Sequence, residues 1–147
     1  MKEITIRQAN AHEIEWINSK YEDVGFVASN FDNEFIIIAS IENQPAGLGR
    51  LVIIDEQNIE LGGIYVFPNH RGLGIADKIV SYLCEHNPFK NTTIWCLPFE
   101  NLQNFYYKFG FKNSNQRMAP LKVAEKHQWC NANEAYQKEV LLLSKNS

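Results

Sequence analysis

The sequence predicts a mixed α/β fold within a single domain. Short segments in which apolar residues alternate or run together are typical of strands, and they are interspersed with segments whose apolar residues lie three or four positions apart, as in helices. The length of 147 residues matches one domain. With 45% hydrophobic and 21% charged residues, the chain has the composition of a folded protein. We therefore expect residues 1–147 to form one domain.

The predicted elements follow the order β-α-βββ-α-β-α-(α)-β. The strands are Ile4–Gln8, Phe35–Ile41, Ala46–Ile54, Ile59–Phe67, Thr92–Leu97 and Val140–Leu143. The helices are Ala11–Tyr21, a segment from Ile75 to about Asn87, a segment with Leu102, Phe105, Tyr106 and Phe109 on one face, and Pro120–Cys130. Because short polar turns join the second, third and fourth strands, we expect these three to form an antiparallel meander.

Glycines mark two special positions in this pattern. Gly110 follows an aromatic helical segment, where a left-handed glycine commonly ends a helix. The pair Gly62-Gly63 lies inside a predicted strand, which indicates a bulge or the close approach of a ligand.

Charge and cysteine content exclude several classes of protein. A net charge of −3 and a pI near 5.8 disfavour non-specific binding to nucleic acid. Cys84, Cys96 and Cys130 are odd in number and far apart, so they predict reduced thiols rather than disulfides. The histidines show no metal-ligand spacing, so we expect no metal. The absence of a signal peptide or membrane-spanning apolar run predicts a cytoplasmic protein without a membrane partner.

The strongest local signal is a strand, a glycine-containing loop and a helix between Ile64 and Ala76. Glycines allow backbone N–H groups to approach a ligand, and the first N–H groups of a helix attract anions. The loop lacks the Gly-Lys-Ser/Thr of a Walker motif. It also has Asp77 where a dinucleotide fingerprint has its third glycine. A phosphate site of another type is predicted, with a simple connecting turn as the alternative.

The sequence motif that fits this loop is Arg/Gln-x-x-Gly-x-Gly/Ala, which matches Arg71-Gly72-Leu73-Gly74-Ile75-Ala76. A second motif, Phe105-Tyr106-Tyr107-Lys108-Phe109-Gly110-Phe111, follows after one predicted strand. With these motifs and this element order, nearly the whole chain resembles the GNAT family of acyl-CoA-dependent N-acetyltransferases. The resemblance implies a central mixed, mostly antiparallel sheet of about six to seven strands. Helices flank this sheet, and it splays between strands four and five.

The resemblance also implies acetyl-CoA as the co-substrate. Backbone groups of Ile64, Tyr65 and Val66 would hold the pantetheine arm. The pyrophosphate would bind the loop amides of Arg71, Gly72, Leu73, Gly74, Ile75 and Ala76. Many family members place an asparagine seven residues before the motif tyrosine, whereas this chain has Phe99 there. Whether the nearby Asn101 or Asn104 contacts the cofactor is left open.

Two catalytic residues follow from the resemblance. Tyr106 would donate a proton to the departing thiolate, with a packing role as the alternative. Glu60 would act as the general base that takes a proton from the acceptor amine, because only a neutral amine can attack the thioester. The alternative for Glu60 is a solvated residue at the start of a strand.

The implied function is direct transfer of an acetyl group to a primary amine on a small-molecule or peptide acceptor. A non-catalytic acyl-CoA-binding or interaction module with the same fold is the alternative. The identity of the acceptor, the length of the acyl group and the oligomeric state stay open, with a homodimer among the alternatives.

Overall fold

A computed structural model of the chain describes residues 3–132 and 138–147. The strands are β1 (Ile4–Gln8), β2 (Glu34–Ile41), β3 (Gln44–Asp55), β4 (Asn58–Val66), β5 (Thr93–Cys96), β6 (Lys112–Asn113) and β7 (Leu143–Asn146). The α-helices are α1 (Ile14–Asp23), α2 (Ile75–Glu85), α3 (Gln103–Tyr107) and α4 (Leu121–Ala132). No helix in these described ranges is both long enough and apolar enough to cross a membrane.

The seven strands form one mixed sheet in the order β1-β2-β3-β4-β5-β7-β6. The pairs β1–β2, β2–β3, β5–β7 and β6–β7 are antiparallel. Strands β4 and β5 run parallel, with Asn58–Glu60 alongside Thr93–Trp95. The predicted fold class, a mostly antiparallel mixed sheet with flanking helices, is confirmed.

The chain divides into two compact units. The first comprises Met1–Val52 and Leu61–Pro88, and the second comprises Ile53–Glu60 and Phe89–Ser147. In the first unit, strand β2 is buried at five successive positions from Phe35 to Ala39. Burial of neighbouring residues requires that both faces of the strand are covered, which explains its continuous apolar run.

The hydrophobic core of the first unit joins α1 to the sheet. Its buried members are Ala9, Ile17, Tyr21, Ile36, Ile38, Leu48 and Tyr65. The chain enters α1 through a short 3₁₀ turn, where the Glu13 carboxylate accepts hydrogen bonds from the Asn10 backbone N–H at 2.9 Å and from Arg7 at 2.8 Å. A carboxylate at this position satisfies a backbone donor that the helix leaves free.

The second unit has a smaller core in which α4 packs against β5. Trp95, Val123 and Leu142 are its buried members. The indole N–H of Trp95 donates a 2.8 Å hydrogen bond to the side-chain oxygen of Asn58. This bond satisfies the polar atom of a large buried ring.

Most predicted boundaries shift by one to three residues, and three elements depart further from the sequence prediction. Regular pairing in the last strand covers Leu143–Asn146 rather than Val140–Leu143, and Val140 forms only an isolated bridge with Phe99. The prediction placed this strand too early in the chain because it followed the apolar run, whereas backbone pairing with β5 continues through the polar residues that come after it. Strand β6 is only two residues long and exposed, so it left no hydrophobic pattern.

The aromatic helical segment is also shorter than predicted. A 3₁₀ turn at Glu100–Leu102 precedes a five-residue α3. Leu102 is exposed rather than packed on the aromatic face. Gly110 adopts a φ of 93°, as predicted for the residue that ends the helical segment.

Candidate functional site

Two glycines in the left-handed region shape the loop before α2. Gly72 and Gly74 have φ angles of 79° and 77°, a region that favours glycine. A Cβ atom at either position would meet nothing within 4 Å, so space beside both is open. Gly74 begins α2 without a side-chain cap. The first backbone N–H groups of α2, which have no partner within the helix, therefore receive no hydrogen bond from the side chain of the preceding residue.

Two further glycines set the position of α2, and sequence reasoning passed over them. A Cβ atom at Gly47 would lie 3.0 Å from Cδ1 of Ile79, and one at Gly49 would lie 2.5 Å from Cγ2 of the same residue. Strand β3 thus lets α2 approach closely. The sequence did contain an indication of this approach. Gly47 and Gly49 are two positions apart in a predicted strand, so they lie on the same face of it.

Gly63 in β4 is explained by the packing of two side chains against it. Gly63 has a φ of 60°. A Cβ atom there would lie 2.7 Å from both the Arg50 Nε and the Tyr21 hydroxyl. The Tyr21 hydroxyl donates a 2.8 Å hydrogen bond to the Gly63 carbonyl oxygen. The close approach at Gly63 is thus made by protein atoms of Tyr21 and Arg50.

Arg50 connects this irregular point to the segment that follows α1. Its guanidinium carbon lies 4.4 Å from the centre of the Tyr21 ring. The same group donates hydrogen bonds to the Val27 carbonyl oxygen at 2.9 Å and to the Ser29 hydroxyl at 2.5 Å. Sequence reasoning missed Arg50, because no local pattern identifies which distant groups a strand arginine contacts.

The end of β4 leads directly into the loop. Tyr65 is buried, and its ring packs edge-on against Phe67 at 5.1 Å. The Phe67 backbone N–H donates to the Ala46 carbonyl oxygen at 2.8 Å, which keeps the chain in register with β3. Ile64 and Val66 are partly buried. The Arg71 Nε donates a long 3.4 Å hydrogen bond back to the Val66 carbonyl oxygen.

Glu60 lies at the other end of β4, within the second unit. Its carboxylate Oε2 accepts a 2.6 Å hydrogen bond from the Lys126 ammonium group of α4. The Glu60 side chain is 17% exposed and the Lys126 side chain 54% exposed. Glu60 is therefore an ion-paired residue rather than a fully solvated one. An exposed pair of this kind contributes only about 0.2–1 kcal/mol to stability.

Tyr106 and Tyr107 have opposite environments. Tyr106 is buried, with its ring edge-on to Phe105 at 5.0 Å and to Phe111 at 5.8 Å. Tyr107 is 39% exposed, and its hydroxyl accepts a 2.7 Å hydrogen bond from the Gln103 side chain. The two neighbouring tyrosines thus present one enclosed and one exposed hydroxyl-bearing ring.

Phe99 occupies the position where many relatives carry an asparagine, and it has a structural role here. It forms a bridge with Val140. The residues that flank this bridge are also paired. The Glu100 N–H donates to the Glu139 carbonyl oxygen at 2.9 Å, and the Leu141 N–H donates to the Pro98 carbonyl oxygen at 2.8 Å. Asn101 and Asn104 are both exposed.

His127 is held by hydrogen bonds, and two of the three cysteines are buried. Both ring nitrogens of His127 are engaged, by the Val140 carbonyl oxygen and by Gln116, each at 2.9 Å. The three cysteines form no disulfide. Burial raises the pKa of the Cys130 thiol. Within residues 3–132 and 138–147, no group of three or more His, Cys, Asp or Glu side chains has an arrangement that could hold a metal ion.

Solved structures with the same fold include several determined with coenzyme A. Rv2747 from Mycobacterium tuberculosis, in complex with CoA and NLQ, aligns with a TM-score of 0.70 at 16% identity and covers 97% of this chain and 99% of that one. Arabidopsis thaliana Naa50, in complex with the bisubstrate analogue CoA-Ac-MVNAL, aligns with a TM-score of 0.66 at 14% identity and covers 97% of both chains. At these identities the likeness establishes the fold.

N-acetylglutamate synthase from Neisseria gonorrhoeae, in complex with CoA and L-arginine, aligns with a TM-score of 0.69 at 13% identity. The match covers 95% of this chain but only 32% of the synthase, so this chain spans about a third of that protein's length. No curated protein matches the sequence.

A family model described as "Acetyltransferase (GNAT) family" matches residues 4–111. The match includes β1 to β5, the glycine loop and the aromatic motif. Sequence motifs, sheet order and family match agree, and the chain belongs to the GNAT family of acetyltransferases.

Proposed function

We propose that this chain is an N-acetyltransferase that moves an acetyl group from acetyl-CoA directly to a primary amine of a small-molecule or peptide acceptor. The loop Arg71–Ala76 carries the proposal. It presents two glycines with positive φ, open space beside both, and a helix that begins without a side-chain cap. Such a turn suits the two phosphates of a pyrophosphate group.

The relatives support this assignment of ligand class. Rv2747 and the Neisseria synthase were solved with CoA, and Naa50 with a bisubstrate analogue that contains CoA. By extension, the backbone of Ile64, Tyr65 and Val66 would hold the pantetheine arm. The amides from Arg71 to Ala76, including those of Leu73 and Ile75, would hold the pyrophosphate.

Two side chains would handle protons in the reaction. Acetyl-CoA supplies the activated acetyl group. Glu60 would take a proton from the acceptor ammonium, because a protonated amine has no lone pair for attack. Tyr106 would donate a proton to the sulfur of the departing thiolate. Both Tyr106 and the Glu60 carboxylate lie in the second unit, on α3 and β4 respectively.

Direct transfer is favoured over a covalent acyl-cysteine intermediate. A cysteine acts as a nucleophile in its thiolate form. Burial raises the pKa of Cys130 and so favours the thiol. Cys96 is also buried, at 3% exposure.

Thermal melting with acetyl-CoA and CoA, beside ATP and NADH, tests the binding half of the proposal. A ligand at a hundred times its Kd stabilises the folded state by about 2.7 kcal/mol, which raises the Tm by several degrees for a chain of this size. We expect a shift with acetyl-CoA and CoA alone. In Gly74→Asp, a carboxylate placed in the loop should abolish this shift.

Gly25→Asp is the matched control for that variant. Gly25 has a φ of 73° and, like Gly74, open space around an added Cβ. The two substitutions therefore impose similar backbone strain, but only Gly74→Asp alters the loop. Equal acetyl-CoA binding by both variants would remove the basis for the pyrophosphate site.

Release of free CoA in the presence of amino acids, peptides, polyamines and aminoglycosides tests the catalytic half. Amine-dependent release with formation of the N-acetyl product supports an enzyme. Acetyl-CoA binding without turnover on any of these amines would favour a non-catalytic acyl-CoA-binding module.

A further inference from the structure

We propose that the chain acetylates its own Lys126, with Glu60 taking the proton from the lysine ammonium group. This inference rests on the proposed function, because it needs the same acetyl donor and the same base. It adds a modification site and identifies the acceptor chemistry at Glu60 as a primary aliphatic amine.

The first observation is the contact itself. The Lys126 Nζ lies 2.6 Å from the Glu60 Oε2, within the second unit of the chain. A general base must lie within hydrogen-bond reach of the proton that it takes, directly or through one water, and this contact is direct. The structure thus already holds a primary aliphatic ammonium group on the carboxylate proposed as the base.

The second observation is that the two partners differ in exposure. Glu60 is fixed within β4 opposite Trp95, and its side chain is only 17% exposed. Lys126 lies in the middle of α4, and its side chain is 54% exposed. A half-exposed ion pair is held weakly, and a lysine stem is flexible. The amine can therefore move away from the carboxylate once its charge is removed.

The transfer balances with one acetyl thioester as the co-reactant. A proton passes from the Lys126 ammonium to the Glu60 carboxylate. The neutral nitrogen forms a bond to the acetyl carbon, and the carbon–sulfur bond of the thioester breaks. The CoA thiolate leaves and takes up a proton, which Tyr106 would supply under the proposed function. The products are Nε-acetyl-Lys126 and CoA.

The modification would change the base itself. An acetylated lysine carries no positive charge, so it can no longer pair with Glu60. Acetylation of Lys126 would therefore free the carboxylate for the ammonium group of an external acceptor.

Lys122 provides an internal comparison. It lies on the same helix, one turn before Lys126, and is exposed. Direct chemical acetylation by acetyl-CoA should modify Lys122 at least as readily, since its surroundings leave it open to solvent. Preferential modification of Lys126 would therefore require the protein's own chemistry.

The experiment incubates the purified full chain with acetyl-CoA and measures acetyl occupancy at each lysine by peptide mass spectrometry. We expect Lys126 to be acetylated well ahead of Lys122. The fraction modified per unit time should not depend on protein concentration, because the base and the amine belong to one chain. Glu60→Gln should slow modification of Lys126 by about 10²-fold and leave Lys122 unchanged. Lys126→Arg should abolish the site, and acetylation of external amines should slow, because an arginine keeps its charge and stays paired with Glu60.

A second measurement needs no acetyl-CoA. N-acetoxysuccinimide acetylates exposed amines chemically, and an amine held in a 2.6 Å hydrogen bond to a carboxylate is less accessible to the reagent. With this reagent we expect Lys126 to react more slowly than Lys122, and Glu60→Gln to remove the difference. The order of reactivity between the two lysines should therefore reverse between the reagent and acetyl-CoA.

Several outcomes would overturn the inference. Equal reagent reactivity of the two lysines would show that the ion pair does not form in solution. An unmodified Lys126 in a protein that acetylates an external amine would reject this inference and leave the proposed function standing. A modification rate that grows with protein concentration would reject the intramolecular step. Absence of acetyl-CoA binding in the melting experiment would reject both proposals.

Discussion

The Tyr21 hydroxyl donates a 2.8 Å hydrogen bond to the carbonyl oxygen of Gly63, 42 residues later in the chain. This bond joins the buried face of α1 to the one position in the middle of β4 where the backbone has a positive φ. The Arg50 guanidinium lies over the same tyrosine ring. The irregular turn of β4 is therefore held by side chains from two other elements, not by strand pairing alone.

Tyr21→Phe should measure the value of this bond. The substitution keeps the ring and its contact with Arg50 but leaves the Gly63 carbonyl without its partner. We expect the free energy of unfolding to fall by about 1–3 kcal/mol and the Tm to fall by roughly 2–10 °C, as recorded by calorimetry. An unchanged Tm would mean that water replaces the hydroxyl at no cost.

Gly63→Ala should destabilise the chain more than Gly25→Ala. Both residues have a positive φ, at 60° and 73°, so each alanine carries the same kind of backbone strain, about 1–2 kcal/mol. At Gly63 the methyl group would also lie 2.7 Å from Arg50 and from the Tyr21 hydroxyl, whereas at Gly25 it meets open space. Urea unfolding should therefore show an additional loss of about 1–3 kcal/mol for Gly63→Ala. Equal losses would argue against tight packing at Gly63.

Tyr106→Phe separates catalysis from cofactor binding. If the Tyr106 hydroxyl protonates the leaving thiolate, its removal should lower kcat by about 10²-fold and leave the acetyl-CoA Kd unchanged. Tyr107→Phe is the control. The neighbouring hydroxyl is exposed and accepts a hydrogen bond from Gln103, so its loss should leave kcat close to the native value. Equal rates for Tyr106→Phe and the native protein would assign Tyr106 a packing role.

The Glu13 carboxylate predicts a pH-dependent contribution to stability. Its hydrogen bonds from Arg7, together with that from the Asn10 backbone, lower the pKa of Glu13 from 4.5 to about 2. A pKa lowered by folding stabilises the native state above the unfolded value, and this stabilisation is lost as the pH falls toward the folded value. Glu13→Gln should therefore cost about 1 kcal/mol near neutral pH.

The pH profile checks this sign. The difference in Tm between the native chain and Glu13→Gln should be constant above about pH 6 and shrink as the pH falls from 4.5 to about 2. A difference that grows toward low pH would contradict the ion pair with Arg7 as its source.

The parts of the fold that were predicted well are those encoded by neighbouring residues. Strand β1 was predicted with its observed bounds, Ile4–Gln8. The start of α2 at Ile75 and the left-handed Gly110 were also predicted. Both predictions depend on the positions of glycines and on helical spacing, which can be read from neighbouring residues. Predictions failed where backbone pairing continued without an apolar pattern, as in the polar end of β7.

The sequence by itself determined the family, the glycine loop and the order of the elements other than the short β6, since these depend on short spacings that each segment carries within itself. The tertiary structure decided which distant groups meet. It placed Lys126 on Glu60 across 66 positions of the chain and fitted Arg50 and Tyr21 against Gly63. Contacts between residues so far apart depend on how strands and helices pack, and a spacing pattern within one segment contains no information about its partner.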